Sequence, residues 1–292
     1  MRSKLFVPGS RPELFAKAMA SDADALSFDL EDAVDEARKD MARNELAKFL
    51  RTLPPNTGKV IIVRVNGLGT KHFERDIEAI VGPGLDMVNL PKPESPDDVR
   101  ACAVALAKAE RKAKVEPVDI LPNIESPKAL RLAAEIARAS PRVAGLQAGW
   151  GDLIEPLDMD RYNPAMVQAL QLQIRLAAGE AGIWAFDGAY ADIKDMEGYR
   201  REAEGARRLG YVGKSAIHPT QVPVANDVFR PTDAEIAHSL KVVEAAQVAA
   251  AKGIGAFTVN GRMVDGPFIR RAEAILALAH RLGLIAQAGR VE

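Results

Sequence analysis

Along the chain, short apolar runs rich in β-branched residues alternate with longer stretches whose apolar positions recur at helical spacing. "KLFVPG" (4–9) precedes "PELFAKAMAS", "ALSFDL" (25–30) precedes "RKDMARNELAKFLRTL" (38–53), and "KVIIVRVN" (59–66) precedes "HFERDIEAIV". The alternation continues through "DMVNLPK" (86–92), "VDILPNIE" (118–125), "VAGLQAG" (143–149), "IWAFDGAY" (183–190) and "VGKSAIH" (212–218). These runs are nearly continuous in hydrophobicity, as parallel strands covered on both faces must be. Eight βα units in roughly 250 residues predict a closed (β/α)8 TIM barrel, here spanning residues 1–254. A doubly wound open sheet is the rival topology. The pattern changes after residue 254. "AFTVNGRMVDG" predicts a hairpin with Asn260-Gly261 as a type I′ turn, and "PFIRRAEAILALAHRLGLIAQA" predicts a last helix. Residues 255–292 thus form an extension that packs on its own barrel or reaches a neighbouring subunit.

Composition narrows the functional classes. The chain has 292 residues, 48% hydrophobic and 27% charged, which suits a soluble globular protein. Lys+Arg (39) and Asp+Glu (40) nearly cancel, so no global field draws it to nucleic acid or to an anionic membrane. Cys102, the only cysteine, sits in an alanine-rich helical pattern and supports neither a disulfide nor a cysteine zinc site. The apolar run in "MRSKLFVPGS" is too short for a signal-peptide core. No segment approaches the ~18 consecutive apolar residues of a membrane span, so the expected location is the cytoplasm.

In (β/α)8 enzymes the chemistry sits at the C-terminal ends of the strands. Those ends carry Pro8, Gly9 and Arg11; Asp29, Glu31 and Asp32; Arg64 and Asn66; Lys92; Glu125; Asp152; Asp187; and Lys214 with His218. Ser126, Asp187 and Thr220 read first as helix caps. Glu125 and Asp152 do not: glutamate caps poorly, and Asp152 follows Gly149 and Gly151, which let the backbone approach something closely. Two carboxylates from adjacent strands suit a hard octahedral ion such as Mg2+. Zinc is disfavoured, because His72, His218, His238 and His280 are scattered. Gly213-Lys214-Ser215 lacks the earlier glycine of a P-loop, and "VNGLGT" is not a dinucleotide fingerprint. In "LSFDLEDAV" three carboxylates fall within four residues. They can share that space only if cations face them, so Glu31 and Asp32 are expected in the turn after the strand, with Asp29 as a structural partner.

The strings "RSKLFVPGSRPELFAKA", "FDLEDAV", "RVN", "LPKPES", "NIESP", "AGWGDL", "FDGAYADIKD", "GYVGKSAIHPTQV" and "GRMVDGPF" occur in an order that resembles the citrate lyase β-subunit-like (CitE-like) branch of the HpcH/HpaI aldolase superfamily. The resemblance runs from residue 2 to about 268, and "DLEDAV" and "GKSAIHPTQ" are its most specific pieces. It implies a Mg2+-dependent lyase that cleaves or forms a 3-hydroxyacyl-CoA thioester such as citryl-, malyl- or citramalyl-CoA, with an acyl-CoA and a 2-keto acid as partners. By the same resemblance, Glu125 and Asp152 hold the metal, and Arg64 grips the keto acid. Glu31 and Asp32 orient metal-bound waters, Asp265 is an acid/base group donated across a subunit interface, and Arg11 and Lys17 meet the CoA phosphates. A homo-oligomer, trimer or hexamer, is implied as well. One departure stands out: Gly149-Trp150-Gly151-Asp152 lacks the acid that commonly precedes the metal aspartate. Two other readings remain open at this stage, a class II-type aldolase acting on free 2-keto acids without CoA and a non-catalytic subunit that keeps the barrel.

Overall fold

Each apolar run forms a strand in the computed structural model, which describes residues 1–54 and 56–286. The strands are β1 (Ser3–Pro8), β2 (Ala25–Asp29), β3 (Val60–Arg64), β4 (Met87–Leu90), β5 (Asp119–Ile124), β6 (Gly145–Ala148), β7 (Trp184–Asp187) and β8 (Gly213–Ala216). They pair in parallel in chain order, and the pairs Ser3↔Lys214, Lys4↔Ser215 and Leu5↔Ala216 close β8 onto β1. The sheet is therefore a closed barrel, and the open-sheet alternative fails for want of a free edge.

Strand parity sorts the core into two layers. Leu5, Val7, Leu26, Phe28, Ile61 and Val63 pack beneath the surrounding helices, where Phe28 meets Phe15 and Phe49 with ring centroids 5.0 and 5.5 Å away. The opposite parity points inward. Ala25, Ile62, Met87, Leu121 and Phe186 form a separate apolar plug. Further along the same inner faces come the buried polar side chains Lys4, Ser27, Asn89, Asn123 and Gln147. Asp29 and Arg64 follow at the mouth, so the interior grades from apolar to charged along the strands.

Of the three residues read as caps, only Ser126 acts as one, accepting from the Ala129 N–H at 3.0 Å. Thr220 holds the position before the helix Gln221–Val228 but makes no side-chain cap. Asp187 is no cap at all: it ends β7 fully buried, in ion contact with Lys214. Cys102 is buried in the helix Pro96–Ala113, and burial pushes its thiol up to about 12.

Contacts divide the chain into two compact units, Met1–Phe229 and one that begins at Arg230. The sequence pattern placed the boundary near residue 254, because the helix Asp233–Ala251 continues the βα rhythm. Instead this helix packs with the helix Gly266–Arg281 and a two-stranded hairpin, β9 (Phe257–Val259) and β10 (Arg262–Val264), around Val242, Val259, Val264 and Ala272. Asn260 (φ 49°) and Gly261 (φ 75°) both take the positive φ that a type I′ turn demands. The end of the expected last helix, 287–288, lies outside the described residues. No helix among the described residues is long and apolar enough to cross a membrane.

Candidate active site

β2 ends at Asp29, and the chain turns at once. The buried Asp29 carboxylate accepts from the Glu31 N–H at 2.9 Å and the Ala33 N–H at 3.2 Å, which fixes the turn that carries Glu31 and Asp32. It also binds the Arg64 guanidinium, from the neighbouring strand, through two hydrogen bonds, with Nε at 2.8 Å. Asp29 is thus the structural partner. Burial alone would lower the Arg64 guanidinium, but its hydrogen bonds and charge contact with Asp29 outweigh that and hold it well above the usual arginine range. Removing one member of so buried a pair typically costs about 3–5 kcal/mol.

Arg64 Nη1 also stands in ion contact with Glu31 Oε2 at 3.0 Å, without hydrogen-bond geometry, and lies 3.9 Å from Asp32. That Glu31 oxygen is buried and has no hydrogen-bond partner, so it retains accepting capacity. Burial raises the Glu31 carboxyl against the pull of Arg64. Burial also acts on Asp32, but Arg64 and Lys92 together outweigh it and lower the carboxyl.

Lys92 is the hub. It follows β4 between Pro91 and Pro93, with φ at +49°. A left-handed conformation costs a non-glycine residue about 1–2 kcal/mol, and here it turns the Lys92 N–H onto Glu125 Oε1 at 2.8 Å. The ammonium of the same residue lies 3.0 Å from Glu31, 3.2 Å from Asp32 and 3.4 Å from Asp152. Four carboxylates from three loops therefore converge on one lysine.

Glu125 follows β5 and is only 4% exposed. Burial pushes its carboxyl up to about 7 despite the Lys92 N–H. Gly149 makes room for it: a β-carbon at 149 would lie 2.6 Å from Glu125 Oε2 and 2.7 Å from its Cβ. Asp152 is in the first turn of the short helix Trp150–Ile154. The buried Trp150 donates its Nε1–H to Asp187 at 3.1 Å and fills the space that a side chain at Gly188 would take. Behind it runs a charged chain: Lys214 Nζ bonds Asp187 and Glu202 at 2.6 Å each, and Arg161 bonds Glu202. Burial raises the Asp187 carboxyl against Lys214.

Phe6, Asp29, Asp32, Arg64, Glu125, Trp150 and Asp152 line one cavity of about 440 Å³. A larger one, about 590 Å³, includes Arg161, Tyr162, Tyr190, Asp195 and Glu202. The smaller cavity is the better candidate, since it sits at the strand ends and gathers acids from β2, β5 and β6 with a fixed arginine. Its donors are hard carboxylate oxygens of the kind that bind hard divalent cations. Among the described residues, however, no three acid, histidine or cysteine side chains stand ready around one point. The Lys92 ammonium lies between the oxygens that could do so.

The other expected residues fall elsewhere. Arg11 is exposed and pairs with Glu13 at 2.9 Å, Lys17 is exposed on the helix Phe15–Met19, and neither lines the cavity. Asp265 belongs to the second unit, before the helix Gly266–Arg281; it makes no capping bond, and its Oδ1 is buried without a hydrogen-bond partner. The sequence reading gave no role to Lys4. This lysine is buried over the Phe6 ring at 4.2 Å and bonded to Gln147, and burial, helped by Arg64, drives it far below the usual lysine range. Parity was the available signal: Lys4, Phe6 and Pro8 share one face of β1.

Known proteins resemble this chain along most of its length. Residues 2–219 match the model of the HpcH/HpaI aldolase/citrate lyase family. The chain is 39% identical to a citrate lyase subunit beta of Escherichia coli over 97% of its own length and 94% of that protein's. It is 35% identical to an L-malyl-CoA/beta-methylmalyl-CoA lyase of Cereibacter sphaeroides over 96% and 95% of the two. The solved structure of the CitE protein of Mycobacterium tuberculosis, in complex with magnesium, acetoacetate and coenzyme A, superposes with a TM-score of 0.74 at 35% identity, covering 96% of this chain and 99% of that one. By motif, by near-full-length identity and by fold, this chain belongs to the HpcH/HpaI aldolase/citrate lyase family.

Proposed function

We propose that this protein is a Mg2+-dependent carbon–carbon lyase that cleaves, or forms, a 3-hydroxyacyl-CoA thioester, with an acyl-CoA and a 2-keto acid on the other side of the equation. One observation carries the reading: a rigidly held arginine, Arg64, faces the same cavity as Glu125 and Asp152. Magnesium, acetoacetate and coenzyme A are bound together in the Mycobacterium tuberculosis relative.

Glu125 and Asp152 are the residues that would hold the ion, with Glu31 and Asp32 beside them. When bound, the ion supplies Lewis-acid polarisation of the oxygen that becomes the ketone, worth several kcal/mol. The protein's own groups do the rest. Asp29 holds the Arg64 guanidinium through Nε and Nη2, and Nη1, now in ion contact with Glu31, is the group that would turn to a keto acid carboxylate, a planar recognition that lysine cannot copy. Phe6 and Trp150 exclude water from one side of the cavity. Arg11 and Lys17, exposed after β1 and outside the cavity lining, are the proposed contacts of the coenzyme phosphates, as the family resemblance implies. Asp265, whose carboxylate leaves its own helix uncapped, is the proposed acid/base group, supplied by a neighbouring subunit of a trimer or hexamer. A cytoplasmic enzyme fits the same picture.

The test is a panel of citryl-, malyl- and citramalyl-CoA with Mg2+ and with EDTA, scored for keto acid release, beside the corresponding free acids. Release from thioesters that stops in EDTA is the expected result. Turnover of free acids alone would instead identify a CoA-independent aldolase, and no turnover of either would favour a non-catalytic subunit.

A further inference from the structure

Lys92 has no assigned part in the chemistry above, yet its ammonium meets as many of the site's carboxylates as Arg64 does. Its ammonium lies within 3.4 Å of Glu31, Asp32 and Asp152, and its N–H fixes Glu125. The side chain is 41% exposed and follows a backbone turn that its left-handed φ sets. It can therefore swing outward without moving Glu125, whose bond is to the main chain.

We propose that Lys92 is an internal counter-cation that competes with the divalent ion for the same carboxylates and is displaced when the ion enters. The inference rests on the metal reading above and deepens it. The two cations compete for the same acids: the ammonium lies 3.4 Å from Asp152 Oδ1 and close to Glu31 and Asp32, whereas a hard divalent ion needs carboxylate lone pairs at direct coordination distance. An ammonium nearby weakens ion binding twice, by stabilising the free carboxylates and by repelling the bound ion. It also keeps the acids from repelling one another, so the protein holds its site together at a cost in metal affinity. The exchange is reciprocal: whatever favours the outward lysine favours the ion by the same factor.

The experiment is calorimetric titration of the full-length protein with MgCl2, repeated with MnCl2, on wild type, Lys92→Met and Lys92→Arg. Lys92→Met keeps the side chain's length and removes its charge. It is expected to bind Mg2+ at least about tenfold more tightly than wild type, while Lys92→Arg stays close to wild type. Thermal melts give an independent readout: Lys92→Met should melt lower than wild type in EDTA and gain more from added Mg2+. Equal or weaker binding by Lys92→Met, with wild type binding normally, overturns the inference and leaves the metal reading standing. Failure of both proteins to bind either ion overturns the metal reading, and this inference with it.

Discussion

Glu125 gives the sharpest test of the site's electrostatics, because its burial has a cost that pH exposes. The carboxyl is 4% exposed and pushed from the ordinary 4.5 up to about 7, with desolvation as the main cause. A rise of that size corresponds to ~3 kcal/mol between the two protonation states. The folded state holds the proton more tightly than the unfolded chain does. The favourable contribution is therefore complete below about pH 4.5, fades above it, and is lost as pH rises through about 7. Glu125→Gln removes the titration while keeping an oxygen for the Lys92 N–H. It should leave stability within about 1 kcal/mol of wild type at pH 5 and exceed wild type by ~3 kcal/mol at pH 8.5. Urea unfolding in EDTA, followed by fluorescence, measures this directly, since both tryptophans, Trp150 and Trp184, lie in the barrel unit. EDTA is needed because a bound cation would stabilise the ionised wild type. A difference between the two proteins that does not change from pH 5 to pH 8.5 would refute the claim that this carboxylate is desolvated, and with it the geometry of the Gly149 contact.

Four further substitutions probe the same machinery. Arg64→Lys keeps the charge but not the fork; kcat/KM on the active thioester should fall about 10²-fold or more, with a stability loss of ~1–2 kcal/mol in a melt. Gly149→Ala drives a methyl against Glu125, so Mg2+ affinity by calorimetry should drop about tenfold while circular dichroism stays unchanged. Trp150→Phe keeps one aromatic ring but deletes the pyrrole ring and its bond to Asp187, and chemical denaturation should show a loss of at least ~1–2 kcal/mol. Asp265→Asn is expected to lower kcat at least about 10²-fold with Mg2+ affinity unaltered, and full turnover would remove this residue from the chemistry.

The strands were legible because a barrel strand is buried on both faces, and that leaves an uninterrupted apolar run no matter what surrounds it. The strand-end acids were legible for the complementary reason, that polar residues closing an apolar run must face water, ions or each other. The boundary between the units was not legible. The helix Asp233–Ala251 has the periodicity of a barrel helix, and only its packing partners distinguish it. Asp187 was misread as a cap because its partner Lys214 is 27 residues away, and a local pattern carries no trace of a long-range ion pair. Lys92 was placed at the mouth by its strand end, but its part there was not legible. Its role depends on a positive φ, which nothing but the flanking prolines hints at, and on three acids brought to it by other strands.

The acids also constrain the order of events at the site. Among the described residues, Asp29, Glu31, Asp32, Glu125 and Asp152 gather in one region where Arg64 and Lys92 are the cations in ion contact with them. Asp29 already satisfies much of Arg64, and a raised Glu125 carboxyl relieves part of the excess by holding its proton. What remains is a cavity of negative character, which would repel the carboxylate of a 2-keto acid at short range far more strongly than water would allow. On the reading proposed above, a divalent cation bound first would offset most of that excess and leave the Arg64 guanidinium facing the incoming anion. An acidic site of this composition is therefore expected to take an acidic substrate after the cation, and titration of a 2-keto acid with Mg2+ and with EDTA checks this: equal binding in both would refute it.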